Sequence, residues 1–194
     1  AELRRMALSV RGRVDYEHIA TISANGESEL GATIAEAFDT VGIDGVVSVE
    51  GGGAFETTWE KLSGLQWEGG YVSPYFMTDA STTECRYDNP LILLTEQSLE
   101  SHTALLKPLE AAVRANRPLL IVAEVVRGEA LQTLVVNKIK NKLRIVAGKG
   151  PLFGDRRRDA LEDVALLTGA TLVSERRGDD LSVINAGVLG GAAQ

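Results

Sequence analysis

Ser101 and His102 stand side by side, the residue types of a nucleophile and its base. Neighbours on a helix point about 100° apart, and no carboxylate is placed by spacing to orient the imidazole. A surface histidine is the better reading. The other histidine, His18, is far away in sequence, and there is no HExxH or paired-His spacing. Cys85 is the one cysteine, so there is no internal disulfide framework and no cysteine-based metal site. A lone thiol fits a reducing compartment. "GKG" at 148–150 lacks the spacing of a dinucleotide fingerprint or a P-loop. It reads as a tight turn whose course Pro151 fixes. Glu124, at the end of an apolar run, offers a polar ligand for an α/β crevice near Gly148. Arg156, Arg157 and Arg158 are followed by Asp159, Glu162 and Asp163, the pattern of a solvated helix face.

A different chemistry, adhesion through apolar surface, has more support. "GGYVSPYFMTD" (69–79) places Tyr71, Val72, Tyr75 and Phe76 around a Ser-Pro step, in a chain that is 5% aromatic. Glycines and proline make it a poor helix or strand, and Ser73 before Pro74 is pushed toward extended geometry. In "GEALQTLVVNKIK", Ala130, Leu131, Leu134, Val135, Val136 and Ile139 cover more than half the circumference of a helix. A helix lying on a sheet needs an apolar stripe only somewhat wider than about 100°. Ala130, Leu134 and Val135 suffice for the core, which leaves Leu131 and Val136 with too little sheet to cover. In the preceding helix Leu105, Leu106, Leu109, Ala112 and Val113 form an ordinary stripe, with Leu106 at its edge. Either a second layer or a longer chain buries the excess, or two parallel helices leave an apolar groove with the 71–76 segment as its third wall. Such a groove marks a protein-interaction site and takes apolar side chains without sequence stringency.

The elements that must position these residues alternate. "PLILLT" (90–95), "PLLIVAEV" (118–125), "LRIVAG" (143–148) and "GATLVS" read as strands, the first two apolar enough to be buried on both faces. Helices are predicted over roughly 99–115, 128–140 and 155–168. The alternation implies βαβ units and a largely parallel sheet flanked by helices, an α/β fold. Upstream, "SELGATIAEAFDTV" (28–41) has helical spacing, with Ser28 or Asn25 as cap and Gly42 as stop. "GVVSVE" (45–50) reads as a short strand, and "AELRRMALSV" as the tail of a helix. Gly51, Gly52 and Gly53 open a hinge-like connection, so a boundary between a small α/β N-terminal lobe and the main domain falls in 50–65. The final "GVLGGAAQ" shows no domain-closing element.

The chain has 194 residues, is 44% hydrophobic and 24% charged, and carries a formal charge of −7. That is an ordinary globular composition, long enough for a sizeable core. The negative charge argues against a general nucleic-acid binder. No apolar run approaches the roughly 20 residues that span a bilayer, and there is no secretory signal.

The segments "TISANGESELGATIAEAFDTVGIDGVVSVE", "GYVSPYF", "PLLIVAE", "GEALQTLVVN", "GPLFGDRR" and "LLTGATLVSE" occur in the order and at the spacing of one family. From about residue 20 onward the chain resembles bacterial group I chaperonins of the GroEL type. The resemblance implies that 1–62 is part of the intermediate, hinge-bearing domain and 63–194 an apical polypeptide-binding domain, truncated at its C-terminal side. It implies binding of unfolded polypeptides and, at the same groove, of the mobile loop of a ring-shaped cochaperonin. Carried over by motif, the binding residues are Tyr71, Tyr75, Phe76, Leu106, Leu109, Leu131, Val135, Val136 and Asn137. It further implies a homo-oligomeric ring in the bacterial cytoplasm, driven by ATP and Mg2+. The nucleotide-binding domain has no counterpart in these residues, so no ATP hydrolysis is expected of this chain alone.

Departures from the family pattern mark a divergent member. Lys107 intervenes between Leu106 and Pro108, where the family's proline follows its leucine directly. Val125 replaces an acidic residue, "GLQWEGGY" replaces a more charged segment, and the tail keeps little of the pattern. A proline within a helix bends it, which bears on the direction of Leu109. The competing expectation is a small-ligand or enzymatic α/β domain with a crevice near Glu124 and Gly148.

Overall fold

The computed structural model describes residues 2–42, 45–49, 51, 57–61 and 63–194. It divides into two compact units, Ala1–Leu65 and Gln66–Gln194.

The first unit contains α1 (Glu2–Met6), α2 (Arg13–Ser23) and α3 (Ser28–Val41). Helices α2 and α3 pair through small residues, with Ala20, Ala35 and Ala37 buried. Gly31 sits against Thr21 so closely that a Cβ there would lie 2.9 Å from the Thr21 backbone. Tyr16 and Phe38 stack beside the crossing, their centroids 5.7 Å apart. The span of α3 matches its hydrophobic period, and Gly42 ends it at φ 80°, donating its N–H to Phe38. The start differs from the sequence expectation. Asn25 lies in the tight turn after α2 at φ 56°, Ser28 is already helical, and Glu27 stands at the N-cap without a side-chain bond. Residues 45–49 form no strand, and Val46 and Val49 are exposed. An apolar run becomes a strand only beside a partner, and none pairs with it among the described residues. Glu50, Gly52 and Gly53 of the expected strand and hinge lie outside the described residues.

The second unit is built on a four-stranded mixed sheet, ordered β5-β3-β1-β6. Strands β1 (Leu91–Leu94), β3 (Leu119–Ala123) and β5 (Ile145–Lys149) are parallel. A small parallel pair, β2 (Ser98–Leu99) with β4 (Val125–Val126), continues beyond β1 and β3. Helices α4 (Leu106–Ala115) and α5 (Gly128–Ile139) cross between the parallel strands and cover one face, through Leu109, Ala112, Ala130 and Leu134 against Leu93, Leu119, Ile121 and Ile145. Helix α6 (Asp155–Thr168) covers the other, through Leu161, Val164 and Ala165 against Ile92, Leu94 and Val122. The fold is therefore α/β, with βαβ units flanked by helices on both faces.

Three elements differ from the sequence reading for physical reasons. The predicted helix over 99–115 begins instead as β2 and a 3-10 turn, His102–Leu105, so α4 starts at Leu106. Pro108 then falls in the first helical turn, where a missing N–H costs nothing, and no kink is needed. "GATLVS" contributes one parallel bridge, Val173 to Thr95, rather than a strand. The Val173 carbonyl accepts from both the Glu96 N–H and the Thr95 hydroxyl, the latter at 3.0 Å, and the pairing goes no further. The C-terminal residues do close the sheet, because β6 (Gly190–Gly191) pairs antiparallel with β1. Glycine is required there: a Cβ on Gly190 would lie 2.7 Å from Ala170.

Among the described residues no helix is long and apolar enough to cross a membrane.

Candidate functional site

The aromatic segment is anchored on the free edge of β5. Val72 donates to the Ala147 carbonyl at 2.8 Å, and Lys149 donates to Gly70 at 3.0 Å. Ser73 is extended, as a residue before proline should be, and its hydroxyl accepts from the Tyr75 N–H at the start of a 3-10 turn, Pro74–Phe76. Successive residues of such a turn point about 120° apart, so the aromatics cannot share a direction. Phe76 drops into the core and is fully buried. Tyr75 faces water, and Tyr71 lies half-buried with its hydroxyl donating to Thr83 at 3.0 Å.

Helix α5 splits its apolar residues by angle. Ala130 and Leu134 are buried, Leu131 and Val135 are half-buried against the core, and Val136 and Ile139 face water. Asn137 is half-buried and committed to its own helix, its amide donating to Thr133 at 2.8 Å and its carbonyl accepting from Lys142 and Leu143. On α4, Leu109 points into the core and Leu106 outward. Leu106, Leu109, Glu110, Val113 and Arg114 line a shallow open depression along that helix.

Of the residues expected to line a groove, Phe76 and Leu109 are therefore core residues. The 3-10 turn fixes Phe76 inward, and the unkinked start of α4 turns Leu109 onto the sheet. Val113, assigned by sequence to the core stripe, is exposed, as is Ile139. The outward apolar set is Tyr75 at 65% exposure, Leu106 at 48%, Val113 at 59%, Val136 at 46% and Ile139 at 58%. Leu131 and Val135 are half-buried and pack against the core. Val113 was findable, since it lies one heptad after Leu106 on the same helical line.

Among the described residues, charged and reactive groups give no comparable constellation. His102 does meet a carboxylate, Glu129 at 3.1 Å, against the sequence expectation; that pair ties the 3-10 turn to the first turn of α5. Ser101 bonds Thr103 rather than His102. Burial pushes the Cys85 thiol up, with Lys138 opposing. Among the described residues no group of three or more His, Cys, Asp or Glu residues is placed to hold a metal ion.

The alternative crevice is present but divided. Glu96, Gln97, Glu124, Gly154, Arg157 and Arg158 help to line a polar opening of about 290 Å³. Glu124 is ion-paired with Arg157, Arg158 with Glu162 at 3.0 Å, and the Ser174 hydroxyl donates to Glu96. Gly148 lies elsewhere, in an antiparallel bridge with Tyr71 under the aromatic segment. No protein-family model matches the chain.

Proposed function

We propose that this chain is a polypeptide-binding module of a chaperonin of the group I type. Its client would be a non-native polypeptide, held by exposed apolar side chains on the α4–α5 layer. The observation that carries the reading is the outward apolar set: Leu106 and Val113 on α4, Val136 and Ile139 on α5, and Tyr75 in the 3-10 turn beside them, while Leu109, Ala112, Ala130 and Leu134 of the same helices are buried. A soluble surface bears scattered apolar residues at random, whereas a cluster on one layer marks a contact site. Each partner Leu or Phe buried there contributes about 1.5–3 kcal/mol before binding costs, which favours tolerant, reversible capture. The sequence resemblance independently names Tyr75, Leu106 and Val136 as binding positions. On the same reading a cochaperonin loop competes for this surface, and ATP, Mg2+ and the ring belong to other parts of the assembly.

The test is suppression of aggregation of a chemically unfolded protein by the purified chain. Leu106→Ser combined with Val136→Ser should abolish suppression while shifting stability by no more than about 1 kcal/mol, because both side chains already face water. Phe76→Ala is the contrasting control and should cost about 3–5 kcal/mol. Full suppression by the double variant would overturn the reading.

The competing small-ligand reading draws on one observation, the polar crevice beyond the ends of β1 and β3. Its charges are largely matched within the chain, which leaves a ligand little to compensate.

A further inference from the structure

Helices α4 and α5 each leave one parallel strand and return to the start of the next, so their C-termini lie at the same end of the layer. Arg114, Arg117, Lys138, Lys140, Lys142 and Arg144 all lie in the last turns of these helices or in the loops that follow. Arg144 donates to the Asn116 carbonyl at 2.7 Å and ties the two loops together. The sequence has no acidic residue between Glu110 and Glu124, nor between Glu129 and Asp155. The described ion pairs all lie elsewhere. Arg117 bonds the backbone and side-chain oxygens of Asn89, and Lys138 the Tyr87 hydroxyl, neutral groups that leave the charge uncompensated. Capping the helix dipoles does not account for so many cations. Each helix C-terminus carries about half a negative charge, so two offset roughly one of the six. Glu110, one turn before Arg114, and Asp88, beside Asn89, offset at most two more, which leaves about three of the six.

A chain of net charge −7 thus concentrates, among its described residues, positive charge without a carboxylate partner at one end of its exposed apolar layer. We infer that the surface selects apolar client segments flanked by acidic residues, with the acidic flank lying over the 114–118 and 138–144 loops. This rests on the polypeptide-binding reading and names its preferred substrate class. Continuity with the apolar set favours a peptide over a nucleic acid, and the negative charge of the remaining surface repels an extended polyanion.

The experiment is fluorescence anisotropy of the 194-residue chain with three labelled peptides sharing one Leu/Val core and carrying acidic, neutral or lysine flanks. At low salt the acidic-flanked peptide should bind about tenfold more tightly than the lysine-flanked one, the yield of a few exposed ion pairs. The difference should shrink toward zero in molar salt. Lys140→Glu with Lys142→Glu should remove the preference and leave the neutral peptide's affinity unchanged. Equal binding of all three peptides would overturn the inference alone. Failure of every peptide to bind would overturn the polypeptide-binding reading with it. Tighter binding of a single-stranded oligonucleotide than of the acidic-flanked peptide would also overturn the inference, making the patch a nucleic-acid site.

Discussion

Leu152 occupies the left-handed region at φ 58°, in the turn between β5 and α6. An L-residue with a Cβ pays about 1–2 kcal/mol for that conformation, and glycine pays none of it. Leu152 is also exposed, so it gains little burial in return. Replacing it with glycine loosens the unfolded chain at a cost of about 0.5–1 kcal/mol. The balance predicts that Leu152→Gly stabilises the protein by about 0.5–1 kcal/mol, seen as a rise in the urea midpoint and a Tm about 2 °C higher. A lower midpoint would mean that the leucine side chain holds the turn in place. The same scale shows where sequence reading stops. The run from Tyr71 to Phe76 was legible as an anomaly of composition. Which aromatic faced water was not, because the answer turns on the hand and pitch of three residues after Ser73. Phe76 and Tyr75 are neighbours with opposite fates; the tyrosine hydroxyl favours the wet position, but it is the turn geometry that fixes which ring is buried.

Elements with a strong period were legible and those fixed by partners were not. Helices α3 and α6 occupy the spans their apolar spacing predicts, and the all-apolar runs became β1, β3 and β5. Helix α2 was not anticipated; Val14, Ile19 and Ile22 of "RVDYEHIATIS" face water, and small residues at one close crossing hold it. That crossing makes a prediction. A Cβ on Gly31 would lie 2.1 Å from the Thr21 hydroxyl and 2.9 Å from its Cα and N. The hydroxyl can rotate away, but the backbone cannot, so α2 and α3 must separate. Gly31→Ala should therefore destabilise the helix pair by about 1–3 kcal/mol despite alanine's better helix propensity. Circular dichroism during urea unfolding would report an earlier loss of helix. An unchanged curve would show that the crossing has slack. Pro108 carries the complementary lesson: its effect depended on where α4 begins, and the 3-10 turn before it moved that point.

At the scale of the molecule, both apolar cores belong to one unit. Every buried residue of the α4–α5 side and of the α6 side falls between Phe76 and Leu181, with Trp67 packed against the second. The Trp67 indole also donates to the Lys149 carbonyl at 3.1 Å, so Trp67 belongs with the second unit. The outward apolar set and the basic loops lie within the same span. A chain of 129 residues, Gln66–Gln194, is long enough to bury most of the surface it exposes when unfolded. Expressed alone, Gln66–Gln194 should unfold in one cooperative transition and suppress aggregation as well as the full chain on a molar basis. Starting at Gly69 instead should remove the Trp67 contact and lower the urea midpoint. Broad, non-cooperative melting of Gln66–Gln194 would show that the first unit completes its fold. Cooperative folding with no suppression would move the binding surface out of the α4–α5 layer.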